Sequence, residues 1–116
     1  MSANNSSIHI QITLDNEKIP EKISWSTSGL EGDKAQEAKA MLLAFFDHDT
    51  KDTLKIDLWT KEMQVAEMDR FFYQTLRSLA DTYKRATSNA PLADAMQQFA
   101  QYFGEQVELI KKDQRD

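Results

Sequence analysis

The side chains that could do chemistry are few: two histidines and a run of aspartates. Asp47-His48-Asp49-Thr50-Lys51-Asp52 has the Asp-x-Asp opening of a calcium loop. A calcium loop of the EF-hand kind needs glycine at its sixth place and glutamate at its twelfth, where this chain has Asp52 and Leu58. Aspartates at such spacing serve equally well as turn formers, because their carboxylates accept hydrogen bonds from nearby backbone N–H groups. The run therefore reads as a solvated hairpin turn. His9 and His48 fall on different elements, and neither has a serine, carboxylate or second histidine placed by spacing to orient it for acid–base work. The three glycines form no phosphate-cradling loop, and cysteine is absent. A thiol nucleophile, a disulfide framework and thiolate zinc sites are thereby excluded. No catalytic residue, metal ligand or cofactor site emerges, and the expectation is a protein that is not an enzyme.

The elements that would carry any other kind of site can be read from periodicity. Ile8, Ile10, Ile12 and Leu14 alternate with His9, Gln11 and Thr13, a period of two that predicts a half-buried strand. Asp15-Asn16-Glu17-Lys18 forms a turn, and Ile19, Ile23 and Trp25 mark a second strand. Pro20 stands at its beginning, where a missing N–H is tolerated. Ile23 and Trp25 share parity and are expected in the core. Ser26 to Gln36 contains Gly29 and Gly32 and reads as a polar loop.

The segment from Glu37 to Phe46 has helical composition, but the polar turn after it and the alternating Leu54, Ile56 and Leu58 favour a hairpin. It is assigned as a strand. Val65, Met68, Phe72, Leu76, Leu79 and Tyr83 then fall three or four apart, predicting a helix of about six turns. Asn89 is a candidate N-cap and Pro91 suits the first turn of a second helix, marked by Leu92, Met96, Phe99, Phe103 and Ile110. Gly104 lies inside it, either to admit a close neighbour or merely tolerated.

The resulting expectation is an α+β fold: a four-stranded, mostly antiparallel sheet followed by a helical hairpin packed on one face. A single domain spans 1–116, with 1–7 flexible, 8–60 forming the sheet and 63–112 the two helices. The length suits one core. The net charge of −5 is spread as 6 basic and 10 acidic side chains through residue 60, and 8 and 9 from residue 61 onward. With no clustered positive surface, nucleic acid and anionic membranes are poor partners. The longest apolar run, Ala40 to Phe46, is far short of the roughly 20 residues of a spanning helix. The polar start Met1-Ser2-Ala3-Asn4 has no secretory h-region, and a cytoplasmic location is expected if this is the native start.

From Ile19 onward the chain resembles the gliding motility-associated GldC family. The likeness is carried by Ile19-Pro20-Glu21-Lys22-Ile23-Ser24-Trp25, by Lys39-Ala40-Met41-Leu42-Leu43, and most specifically by Thr53-Leu54-Lys55-Ile56-Asp57-Leu58-Trp59-Thr60-Lys61-Glu62-Met63. It continues through Glu67-Met68-Asp69-Arg70-Phe71-Phe72 to Ala80-Asp81-Thr82-Tyr83-Lys84-Arg85-Ala86-Thr87. Gln64 stands where the family often has proline, a change expected to alter only the helix entry. The resemblance implies an accessory protein of surface motility and the linked type IX secretion machinery. It supplies no catalytic residues.

For such a protein the informative side chains are exposed apolar ones. The strand ending at Phe46 is apolar on both faces, and a helical hairpin can cover only one. The second face is either shielded, by the Ser26–Gln36 loop or by long side-chain stems, or Met41, Leu43, Phe45 and Trp59 form an exposed patch that binds a protein partner. A homodimer joined through apolar sheet faces is the structural alternative. An enzyme built on His9, His48 and the nearby aspartates is the weaker one. The charged helix residues Lys61, Arg70, Arg77 and Lys84, alternating with acids, read as a solvated face.

Overall fold

The computed structural model describes residues 4–28 and 34–111. In chain order it contains β1 (Ile8–Leu14), β2 (Pro20–Thr27), β3 (Gln36–Ala38), β4 (Ala40–Phe46) and β5 (Thr53–Trp59), then α1 (Val65–Thr87) and α2 (Ala90–Gln106). The α+β class is as expected. The chain divides into two compact units between Met63 and Gln64, one of strands and one of helices.

The strands do not make one four-stranded sheet. They form a three-stranded antiparallel sheet, β1-β2-β3, and a two-stranded one, β4-β5. The segment expected as a single strand from Glu37 to Phe46 is indeed extended, but it breaks at Lys39. The register explains the break. Ile23 pairs with Ala38, so β2 has only Lys22, Glu21 and Pro20 left to offer beyond that point. Pro20 lacks a donor and opens the strand, so the chain beyond Lys39 finds its partner in β5 instead. The backbone N–H of Thr60 donates to the Lys39 carbonyl at 2.8 Å, tying the end of β5 to the break.

The β1–β2 turn is built by Asp15. Its Oδ1 accepts from the backbone N–H groups of Glu17 and Ile19 at 2.8 and 3.0 Å, while Lys18 takes a φ of 65°. The register shifts between Thr13 and Leu14, a bulge that brings Leu14 opposite Pro20. Ile12, Ile23 and Ala38 align across the three strands, and Ile23 is only 1% exposed. Trp25, expected beside it in the core, is exposed instead. Its neighbours in register are Ile10 and the polar Gln36, at the far end of the short β3. Of the predicted loop, Ser26 and Thr27 belong to β2 and Gln36 to β3, while 29–33 lie outside the described residues.

In the helical unit, Gln64 leads into α1, its N–H donating to Glu67 Oε1 at 3.0 Å. Ser88, with φ 60°, ends the helix in the left-handed region. Asn89 then caps α2 as expected, its Oδ1 accepting from the Leu92 N–H at 3.2 Å. The buried residues of the pair are small: Ala80, Ala93, Ala100 and Gly104. Gln97 lies on the same side of α2 as the last three and reaches the Arg77 carbonyl and Asp81 of α1. The seam between the antiparallel helices is therefore a small-residue contact.

Gly104 is required there. A Cβ on it would stand 2.6 Å from Tyr73 Cε1 and 3.1 Å from Ile110 Cδ1. The second helix stops at Gln106 rather than continuing to 112. Glu108 adopts a φ of 64°, and the N–H groups of Leu109 and Ile110 turn back to the Gly104 carbonyl. Ile110 therefore packs from a turn, not from the helix. Residues 112–116 lie outside the described residues.

Candidate protein-binding surface

The β4–β5 hairpin owes its register to the turn that closes it. Asp47 Oδ2 accepts from the N–H groups of Asp49 and Thr50 at 3.0 and 2.8 Å, and the Asp47 N–H donates to the Asp52 carbonyl at 2.8 Å. These bonds hold the Asp47 carboxyl below its ordinary pKa, the Thr50 N–H first and the Asp49 N–H next. Lys51 completes the turn with a φ of 64° and its ammonium on the His48 carbonyl. The run that resembled a calcium loop thus spends Asp47 on its own backbone. Among the described residues, no group of three or more His, Asp or Glu is placed to hold a metal ion. His48 makes a 2.9 Å contact with Asp49 at the exposed tip, whereas His9 lies on β1 opposite Ser26.

That turn sets Phe46 opposite Thr53 and, at the other end, Ala40 opposite Trp59. Directly opposed residues of an antiparallel pair point to the same face. One face therefore carries three wholly apolar pairs: Met41 with Leu58, Leu43 with Ile56 and Phe45 with Leu54. Phe45, Leu54 and Ile56 are 47–61% exposed. The other face carries Leu42, Ala44 and Phe46 against Asp57, Lys55 and Thr53, and ends in Trp59. There Lys55 and Asp57 form an ion pair between the two exposed aromatics, Phe46 and Trp59.

The four residues singled out from sequence are thus divided by the pleat. Met41, Leu43 and Phe45 stand together, and Trp59 stands on the opposite face with Leu42 and Phe46. The residues that accompany Phe45 are Leu54 and Ile56. Their alternation with Lys55 and Asp57 was visible in the sequence, but which face they share with depends on the turn length.

A second feature had no sequence signal. An open polar cavity of about 510 Å³ lies beside the break at Lys39, lined by residues including Thr13, Glu21, Lys22, Glu37 and Thr60. Lys22 and Glu37 pair at 3.3 Å within it. Thr60 is 4% exposed, and its buried Oγ1 has no hydrogen-bond partner. Nearby, Lys61 Nζ lies 2.6 Å from Asp15 Oδ2. That contact, aided by the Ile19 and Glu17 N–H groups, lowers the Asp15 carboxyl to a pKa of about 2 and raises that of Lys61. The lining mixes ammonium and carboxylate groups with the hydroxyls of Thr13 and Thr60.

No helix among the described residues is long and apolar enough to cross a membrane. No curated protein and no solved structure gave a match. A family model described as gliding motility-associated protein GldC-like matches residues 20–109, which take in β2 through α2 and the whole of the exposed hairpin, and the chain belongs to that family.

Proposed function

We propose that this protein is a non-enzymatic interaction module, acting in the cytoplasm as an accessory to gliding motility and the linked type IX secretion machinery. Its β4–β5 hairpin is the surface offered to a protein partner. The observation that carries the reading is the apolar ladder of Met41/Leu58, Leu43/Ile56 and Phe45/Leu54, exposed at its Phe45 end on a two-stranded hairpin. Two strands alone are marginal in water, and an exposed apolar patch of this kind is characteristic of a binding surface. Phe46 and Trp59 on the opposite face are aromatic anchors of the sort that dominate interface energetics.

The test is co-purification of the tagged protein from gliding cells, comparing wild type with Phe45→Glu and Trp59→Glu. Recovery of a motility or secretion component with wild type, lost with a variant that still unfolds cooperatively, supports the reading and says which face binds. Equal recovery with both folded variants would remove the hairpin from the interface.

A further inference from the structure

The apolar stripes that marked the two helices in the sequence are not what joins them. The seam is Ala80, Ala93, Ala100 and Gly104, and the larger apolar residues lie to one side of it. At about 100° per residue, the stripe of α1 is centred roughly 90° from its seam, and that of α2 about as far from its own. In an antiparallel pair these turns bring both stripes to the same side. Val65, Phe72 and Leu79 follow one another at seven-residue intervals on α1, and Leu92 and Phe99 do so on α2. All five are exposed, by 40–80%.

We infer that this face of the helical hairpin is the interface between two copies of this chain, joined as a four-helix bundle. Three observations on the molecule select a second copy. The seven-residue interval is the spacing at which helices mesh side by side, including helices brought together from two copies of a chain. The area reaches the range required: five side chains at those exposures, with half-buried Met68, Leu76, Tyr83, Met96 and Phe103 between them, offer on the order of 600 Å² per copy, the lower end of what a stable specific interface takes from each partner.

Charge agrees as well. Each copy carries −5 and repels the other, yet the charged residues of α1 turn away from this face, with Asp69 only at its margin, and Asp94 and Glu105 lie on the far side of α2. Two like-charged copies can meet here without opposing carboxylates. A two-fold arrangement, in which each stripe faces its own equivalent, satisfies both copies at once. The inference does not depend on the role assigned to the β4–β5 hairpin.

Sedimentation equilibrium of the full chain between 1 and 100 μM, on the order of typical dimer affinities, tests it. Wild type is expected at twice 13.4 kDa, with Leu79→Glu a folded monomer by circular dichroism. Val65→Lys, at the exposed first residue of α1, is expected to weaken the dimer about tenfold and cannot disturb the small-residue seam, so it decides the matter if Leu79→Glu fails to fold. A wild type that stays at 13.4 kDa throughout would overturn the inference. A dimer undiminished in Val65→Lys would overturn it equally.

Discussion

Lys61 and Asp15 meet through Nζ and Oδ2 at 2.6 Å, joining the second residue after β5 to the one that opens the β1–β2 turn. Asp15 is thereby used twice, since its other oxygen holds the Glu17 and Ile19 N–H groups. A carboxylate with a cation and two amides on it is stabilised in its charged form.

The pH dependence follows from that. The folded Asp15 has a pKa of about 2 against an ordinary 3.8, so its contribution is complete above 3.8 and is lost as pH falls from about 4 towards 2. Urea unfolding across pH 6 to 2 should show wild type losing stability in that window, with Asp15→Asn starting lower and falling less steeply. Parallel curves for the two would show that Asp15 takes no part. On the alkaline side the Lys61 contribution is full below 10.5 and is lost only as pH rises through its raised folded value.

Gly104→Ala should destabilise the helical unit, although alanine is the better helix former by about 1 kcal/mol. The added methyl would sit 2.6 Å from the Tyr73 ring, and overpacking of this kind costs about 1–3 kcal/mol. Tyr73→Ala should recover much of the loss in the double variant. If Gly104→Ala raised the melting temperature, the close approach of Tyr73 would be wrong.

The Thr60 hydroxyl is buried without a partner, and the cost of that falls on the folded state. Thr60→Val keeps the shape and removes the polar atom, so it should gain about 1 kcal/mol in chemical unfolding. A loss of similar size would mean that the hydroxyl is satisfied in solution.

Asn89→Ala removes the acceptor for the Leu92 N–H at the start of α2 and should cost about 1 kcal/mol, measured as a shift in urea midpoint at unchanged slope. Asn89→Gly should cost only a few tenths. Equal losses for the two would remove the side-chain bond from the explanation.

What could be read from the sequence was whatever depends on neighbours along the chain. The alternation in Ile8–Leu14, the Asp15 turn, the Asn89 cap and the two helices all follow from spacing within a few residues. The break at Lys39 did not follow, because it is decided by how far β2 extends from Pro20, a matter of pairing between distant segments. The same holds for Trp59. Its parity relative to Ile56 was plain, but its companions Leu42 and Phe46 are set by a register fixed at the Asp47 turn. The two helices lie where their stripes predicted them, and of the seam that joins them only Gly104 had drawn notice. Large apolar residues mark a face to be covered, whereas the rest of the seam, Ala80, Ala93 and Ala100, is carried by residues too small to stand out in a hydropathy pattern.

The break at Lys39 also bears on how the strands come apart. On one side of it the chain is held by β2, on the other by β5, with the Thr60–Lys39 hydrogen bond at the junction. Opening the β4–β5 hairpin leaves the pairs from Ile8↔Thr27 to Ile23↔Ala38 intact, so the two small sheets can exchange their amide protons as separate cooperative units. The hairpin amides of Leu43 and Ile56 would then exchange ahead of those of Ile12 and Ile23. The segment that shows the most apolar surface would be the one that loosens first, free to reshape itself against whatever it meets while the rest of the strands hold their form.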